Sequence, residues 1–268
     1  MIYEREKFAA PPPLISLVDQ VARNIQPDED SHLEWYREYV KHHRSRIAFD
    51  LQLTERFAKT GDQIGEFGPI PLLLTRSLQE RGFAVTGIDK SPDRFSQSIS
   101  EFGINLAHCD IETEVLPFAD DHFDIIIFSE LFEHLRINPI FTMHEVLRVL
   151  KPGGLLLLSS PNLRSYFGLK NLLLHNEAWS CSPGIYDEYE KLDILGHMGH
   201  VREYTTKELS TFLTRTGFEV ERIIYRGRMG SRRVETLASV FPSLRPYASY
   251  VARKSILTDR HTATQTSQ

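Results

Sequence analysis

The amino-acid sequence predicts an α/β fold, a parallel sheet with crossover helices, and three observations lead there. From about residue 61 onward, short apolar runs read as strands, among them FAVTGID, DIIIFS and GLLLLSS. Segments of helical period separate them, and such alternation builds a parallel sheet flanked by helices. The 268 residues are 41% hydrophobic, 25% charged and 10% aromatic, ordinary globular usage with enough chain to bury a sizeable core as one large domain or two small ones.

The elements follow in order. After Pro11–Pro13, residues 14–60 carry apolar residues at helical spacing, with Trp35, Tyr36, Tyr39 and Val40 on one face, and read as two helices; residues 1–60 form an N-terminal helical extension. The first strand leads into Ile64-Gly65-Glu66-Phe67-Gly68-Pro69, read as a tight turn opening a helix Leu72–Glu80. The second strand, Phe83–Ile88, ends in Asp89, and a third near Ile104–Ala107 is followed by Cys109-Asp110-Ile111. The fourth, Phe123–Phe128, runs into Ser129-Glu130-Leu131-Phe132-Glu133-His134-Leu135. A helix through Glu145–Leu150 stops at Lys151-Pro152-Gly153-Gly154 before the strand Leu155–Ser159. Residues 161–204, broken by Pro161, Gly168, Pro183, Gly184, Gly196 and Gly199, read as a loop-rich, lid-like insert ahead of a helix starting near Thr206. The stretch 255–268 is polar and is expected to be disordered.

Lys and Arg total 31 against 36 Asp and Glu, so no global basic field draws the chain to nucleic acid or anionic lipid. Cys109 and Cys181 make neither a disulfide framework nor a C-x-x-C site, which suits a reducing cytoplasm. Neither a signal-peptide core nor an apolar run long enough to span a bilayer is present, so a cytoplasmic protein is expected.

Ligands of open parallel sheets bind beyond the carboxyl ends of the strands. Asp89 stands 24 residues after Gly65, near the roughly 20 that separate a glycine turn from the carboxylate accepting both hydroxyls of a ribose diol. A helix N-cap is the structural alternative for such an acid. Glu130, Glu133 and His134, at i, i+3 and i+4, would share one face of a helical turn. Carboxylate oxygens with an imidazole nitrogen suit Mg²⁺, Mn²⁺ or Zn²⁺; the alternative is a helix cap that packs. His42, His43, Arg44 and Arg46 read as a solvated helix face, with contact to an anionic acceptor as the functional alternative. Arg226, Arg228, Arg232 and Arg233 fit either a phosphate-bearing ligand or an ordinary surface loop. The aromatics Tyr166, Phe167, Trp179, Tyr186 and Tyr189 belong to the insert, as stacking surface for an acceptor or as its own packing.

LPFADDHFDIIIFSELFEHL, HEVLRVLKPGGLLLLSSPN and GHVREYTTKELSTFLTRTGFEV, in that order, closely resemble class I S-adenosylmethionine-dependent methyltransferases, over roughly residues 61–226. The resemblance implies a Rossmann-like, seven-stranded, mostly parallel sheet flanked by helices, its antiparallel last strand in Tyr247–Arg253, within a single domain 61–254. It implies S-adenosylmethionine as cofactor, with Gly65 and Glu66 at the methionine end, Asp89 on the ribose, Asp110 with Ile111 at the adenine, and Ser129 with Glu130 bordering the sulfonium. The chain departs from the family at Gln63, where an acid usually precedes the first glycine by two residues, and at Phe67 and Pro69, where glycines are usual.

Glu-x-x-Glu-His is also similar to metal-dependent O-methyltransferases of the ubiquinone pathway and of small RNAs. In the RNA enzymes a later histidine completes the site, the place of His200 here. Glu130, Glu133, His134 and His200 are then the expected metal ligands, and Glu130, His134 and His200 the catalytic groups, either histidine serving as base if no metal is used. The function implied is O-methylation of a small-molecule hydroxyl on a saccharide, a lipid-linked compound or a secondary metabolite. RNA 2′-O-methylation and a non-catalytic methyltransferase-like binding protein remain alternatives; the acidic balance argues for a small acceptor over nucleic acid.

Overall fold

The structure, a computed structural model, describes residues 2–4, 10–181, 184–195 and 199–255. The strands are β1 (Ile2–Glu4), β2 (Gln63–Phe67), β3 (Ala84–Asp89), β4 (Asn105–His108), β5 (Phe123–Ser129), β6 (Leu150–Pro161), β7 (Phe218–Arg226) and β8 (Tyr247–Lys254). They form one sheet in the order β1-β7-β8-β6-β5-β2-β3-β4. Only β8 runs antiparallel to its neighbours, β6 and β7. The seven-stranded arrangement expected from sequence is therefore present, and β1 adds an eighth, parallel strand at the edge beside β7.

Period-two alternation distributes the side chains. In β5, Ile125 and Ile127 enter one core cluster while Ile126 and Phe128 enter the other; in β6, Leu155 and Leu157 oppose Leu156 and Leu158. A sheet covered on both faces has no need of polar residues in its central strands, hence the unbroken apolar runs. One face packs on α1 (Pro12–Asn24), α2 (Leu33–Phe57) and α3 (Leu73–Glu80), and the other on α5 (Pro139–Val149) and α8 (Thr206–Arg215). Thr205 and Glu208 start α8 with a reciprocal capping box, satisfying two amide donors that a helix start would leave orphaned.

The N-terminal extension is part of the core. Ile47, Ala48, Leu51 and Thr54 of α2, at i, i+1, i+4 and i+7, are all buried, and Val18 and Val21 of α1 join the same cluster. The region 161–204 holds two helices, α6 (Tyr166–His175) and α7 (Ile185–Leu195), and so corrects the loop-rich reading. Ser165 caps α6 through the Gly168 amide, and Gly168 is required there: a Cβ would lie 2.1 Å from the Leu163 carbonyl oxygen. The intervening α4 (Ser96–Glu101) and α9 (Arg232–Val240) complete the helices named here. No helix among the described residues is long and apolar enough to cross a membrane. The part of the tail beyond residue 255, expected to be disordered, lies outside the described residues, as does His197, a weaker candidate for the base than His134 or His200.

If α2 is structural, Leu51→Ala, at a fully buried side chain, lowers unfolding free energy by about 2–5 kcal/mol in denaturant titrations. Leu173→Ala, at a side chain 78% exposed on α6, is expected to change it by less than about 0.5 kcal/mol.

Candidate functional site

A cavity of about 660 Å³ opens at the carboxyl ends of β2 to β5, within the roughly 300–1,000 Å³ typical of small-molecule sites. Glu66, Asp89, Asp110, Ile111, Ser129, Glu130 and His134 all line it. Parallel strands bring these residues together because each lies at or just beyond the end of its own strand.

Gly65 is the exception. Strand β2 continues through Phe67, so Gly65 lies inside it, where a Cβ would stand 3.2 Å from the Phe123 ring. The turn is made by Gly68, at φ +65°, whose amide donates to the Ile88 carbonyl at 2.9 Å. Phe67 is buried core and carries no positive-φ strain. Glu66 is thus the acid two residues before the turn glycine, while Gln63 begins β2 and is exposed. Asp89 then stands 21 residues after the turn glycine. Pro69 closes the turn against Gly87, where a Cβ would come within 2.9 Å of the proline ring.

Glu66 is buried and accepts from the Thr75 hydroxyl at 2.6 Å. Burial pushes its carboxyl up to about 8 in spite of that hydrogen bond. Asp89 accepts from the Ser91 amide at 2.7 Å, and burial raises it as well. Asp110 accepts from the Glu112 amide at 3.0 Å.

The helical face expected for Glu130, Glu133 and His134 does not form. Glu130 is left-handed, at φ +50°, and a short 3-10 turn, Phe132–His134, follows it. The reversal separates Glu130 from the other two. Glu130 joins a buried ion cluster: its Oε1 accepts from Arg226 Nη2 and from the Ser159 hydroxyl, each at 2.8 Å. Arg226 also donates to the Ser249 hydroxyl and stands 3.6 Å from Asp50 of α2. Arg226 is thus a core residue, whereas Arg228, Arg232 and Arg233 are exposed. Arg46 likewise leaves the expected solvated face: its side chain is 14% exposed and lines the cavity, while Arg44 pairs with Asp19 at the surface.

Glu133, His134 and His200 do converge, their ligand atoms within 4.8 Å of one another. The Glu133 carboxylate is fully buried, and neither oxygen has a well-formed hydrogen bond among the described residues; its own amide and the Ser160 hydroxyl lie close enough to act on it, and His200 Nε2 stands 3.7 Å away. Burial raises the Glu133 carboxyl well above its ordinary range. Burial and the nearby Arg46 charge lower His200 to about 4, so its ring is neutral at pH 7. His134 Nδ1 lies 3.2 Å from the Gly199 carbonyl, which can only accept, so Nδ1 carries the proton and Nε2 is the nitrogen that can ligate. The donor set suits a divalent cation: an unsatisfied buried carboxylate beside two imidazole nitrogens. Of the insert's aromatics, Trp179 stacks on Phe167 and tilts against Tyr247, while Tyr186 and Tyr189 are exposed.

Sequence reasoning missed Asp50 and misread Arg46 and Arg226. One signal was available: Arg46 and Asp50 sit at i, i+4 inside the apolar run Ile47, Ala48, Phe49 and Leu51, so those charges belong to the buried face of α2.

Comparison with known proteins agrees with this fold. The profile of a methyltransferase domain family matches residues 36–223. A ubiquinone biosynthesis O-methyltransferase of Psychrobacter cryohalolentis is 28% identical over 137 residues, 48% of this chain and 52% of that protein. The chain thus spans about half the length of this curated relative. Among solved structures, the methyltransferase partner of the Trm112 activator from Haloferax volcanii superposes with a TM-score of 0.57 at 16% identity, covering 86% of this chain and 99% of that one. A S-adenosylmethionine-dependent methyltransferase of Thermotoga maritima gives 0.55 at 15% identity, covering 89% and 100%. At such identities the likeness is one of fold.

Two outcomes are expected. Arg226→Met leaves Glu130 without its counter-charge and Asp50 with Arg46 alone, and lowers unfolding free energy by about 3–5 kcal/mol, measured as a denaturation midpoint; adding Glu130→Gln restores part of the loss. Glu66 titrates near 8 when folded and near its ordinary 4.5 when unfolded, so the native state binds the extra proton between those values. Its contribution to stability is therefore full below about pH 4.5 and lost as pH rises through about 8. The stability of the wild type relative to Glu66→Gln should fall across that window in parallel urea titrations.

Proposed function

The chain belongs to the methyltransferase domain family, and from that premise we propose that it is a S-adenosylmethionine-dependent methyltransferase acting on a hydroxyl oxygen of a small molecule. The observation that carries the reading is one cavity lined by Asp89, Asp110 and Ile111 together with His134, which Glu133 and His200 back. The name of the Psychrobacter relative supports oxygen as the atom methylated.

S-adenosylmethionine supplies a methyl group already activated on a sulfonium, which leaves the protein to bind, orient and deprotonate. Asp89, fixed by the Ser91 amide, keeps lone pairs for the ribose diol. Asp110 and Ile111 border the adenine, and the bend at Gly68 lets the backbone approach the ligand without a side chain in the way. Ser129 and Glu130 line the sulfonium region, the Glu130 side chain held by Arg226 rather than offered to a metal.

Glu133, His134 and His200 would hold a divalent cation, Mg²⁺, Mn²⁺ or Zn²⁺, which lowers the pKa of an acceptor hydroxyl. His200, neutral at pH 7, is in the protonation state that ligation requires. The cavity wall from α2, with Trp35 and Tyr39, covers the site and helps to exclude water from the reacting atoms.

Calorimetry with S-adenosylhomocysteine tests the cofactor reading: the wild type should bind, and Asp89→Ala should weaken binding by about a hundredfold through loss of two hydrogen bonds to the diol. A wild type that does not bind it sinks the reading. For the cation, titration with Mn²⁺ followed by electron paramagnetic resonance should show one site per chain that Glu133→Gln removes. Wild-type protein taking up neither Mn²⁺, Mg²⁺ nor Zn²⁺ would leave the hydroxyl to a histidine base.

A further inference from the structure

We propose that α6 and α9, with the turn that follows α9, form a docking face for a bilayer that carries anionic phospholipid. The inference goes beyond the methyltransferase reading and holds whichever hydroxyl is methylated.

The first support is apolar surface that the fold leaves uncovered. Leu169, Leu172, Leu173 and Leu174 of α6 are all exposed, Leu174 at 70%. Successive helical residues stand about 100° apart, so these leucines spread over roughly 200° of the helix. A protein groove covers one stripe of a helix, whereas the headgroup and acyl boundary of a bilayer surrounds whatever enters it. On α9 and its C-cap, Arg233, Leu237, Val240 and Phe241 recur at i, i+4, i+7 and i+8 and are all exposed. Contiguous apolar surface of this kind marks an interaction site.

The second support is charge. The chain as a whole is acidic, at −5, yet residues 163–176 contain Arg164, Lys170 and His175 and no Asp or Glu. Residues 227–246 contain one acid, Glu235, and it pairs with the buried Arg245 at 2.6 Å. Arg164, Lys170, Arg228, Arg232 and Arg233 are exposed beside the apolar residues. This local field complements anionic headgroups within a Debye length of the surface. It opposes a second copy of the chain on the same face, because a two-fold axis would set like charges against one another. Helix α7 stands outside the proposed face, since Asp187, Glu188 and Glu190 would be repelled by the same lipid.

The third support is position. Asn162, just before α6, binds the turn just after α9: its amide donates to the Pro246 carbonyl at 2.8 Å, and its Nδ2 to the carbonyls of Ser243 at 2.8 Å and Arg245 at 3.0 Å. The two helices therefore spring from one joint. Strand β8 is antiparallel to both β6 and β7, so β6 and β7 run the same way, and β6 is parallel to β5. Because α6 follows β6 and α9 follows β7, both helices leave the end of the sheet at which the cavity opens. A bilayer docked on them lies at the cavity's end of the molecule.

The test is co-sedimentation of the full chain with vesicles of phosphatidylcholine, alone or mixed in equal parts with phosphatidylglycerol. Wild type should partition onto the mixed vesicles about tenfold more strongly than onto phosphatidylcholine, and lose most of that preference at about 0.5 M salt. Arg232→Glu with Arg233→Glu, and separately Leu172→Ser with Leu173→Ser, should each lower partitioning by about tenfold or more. All four side chains are exposed, so an unchanged denaturation midpoint is expected and reports an intact fold. Should either pair shift that midpoint, Phe241→Ser and Lys170→Glu decide by the same measurement, with a smaller loss expected. Wild type that ignores both kinds of vesicle, or partitioning that either folded pair leaves unchanged, overturns the proposal. A dimer seen by sedimentation velocity without lipid and dissolved by the leucine pair also overturns it, and gives the face to a second copy of the chain.

Discussion

The buried contact between Arg226 and Glu130 is the constraint on which the rest of the site depends. It joins the end of β7 to the residue just past β5, with Ser159 of β6 and Ser249 of β8 completing the hydrogen bonds. Asp50 brings α2 to the same cluster. Charges this deep in the protein are tolerable only when matched, so the three elements are held in one arrangement. Glu130 accepts a left-handed backbone as part of that arrangement. The strained residue turns the chain away from helix and sends Glu133 and His134 toward His200 instead of along a common helical face.

The strand ends set the other half of the site. Glu66, Asp89, Asp110 and Glu130 lie at or just beyond the ends of four different parallel strands, so the sheet's stagger sets their spacing. The Gly68 turn bends the chain sharply after β2, and Glu66 is left just before the bend with a hydroxyl partner from α3. Its raised carboxyl pKa follows from its removal from water.

The fold was legible because hydrophobic periodicity and strand-end acids are local signals. Period two in β5 and β6 and the apolar spacing of α1 and α2 needed no tertiary knowledge, and Asp89, Asp110 and Ile111 could be placed by counting from strand ends. Four features were not local. Glu130 is left-handed and paired with Arg226, nearly a hundred residues downstream, and no spacing rule contains that contact. The turn falls at Gly68 rather than Gly65 because strand length after Gln63 is set by pairing with β3 and β5, which carries β2 to Phe67. The helices α6 and α7 escaped notice because glycine and proline punctuate a stretch whose leucines follow no clear amphipathic period. Arg46 and Arg226 carried surface-like residue types, and only burial by neighbouring elements reverses that reading.

The place of β8 in the sheet bears on how the molecule is made. This strand follows β6 and β7 in the chain yet lies between them, so β7 and β1 have no partner in the sheet's main body until residues 247–254 are available. During synthesis, the nascent chain would leave the ribosome with two unsatisfied sheet edges, one on β6 and one on β7. Such edges invite pairing with other chains, and a sheet finished by a late, sequence-distant strand is slow to close. The interval between emergence of β7 and docking of β8 is then the period of greatest exposure to aggregation, and the point at which a chaperone would have most to protect.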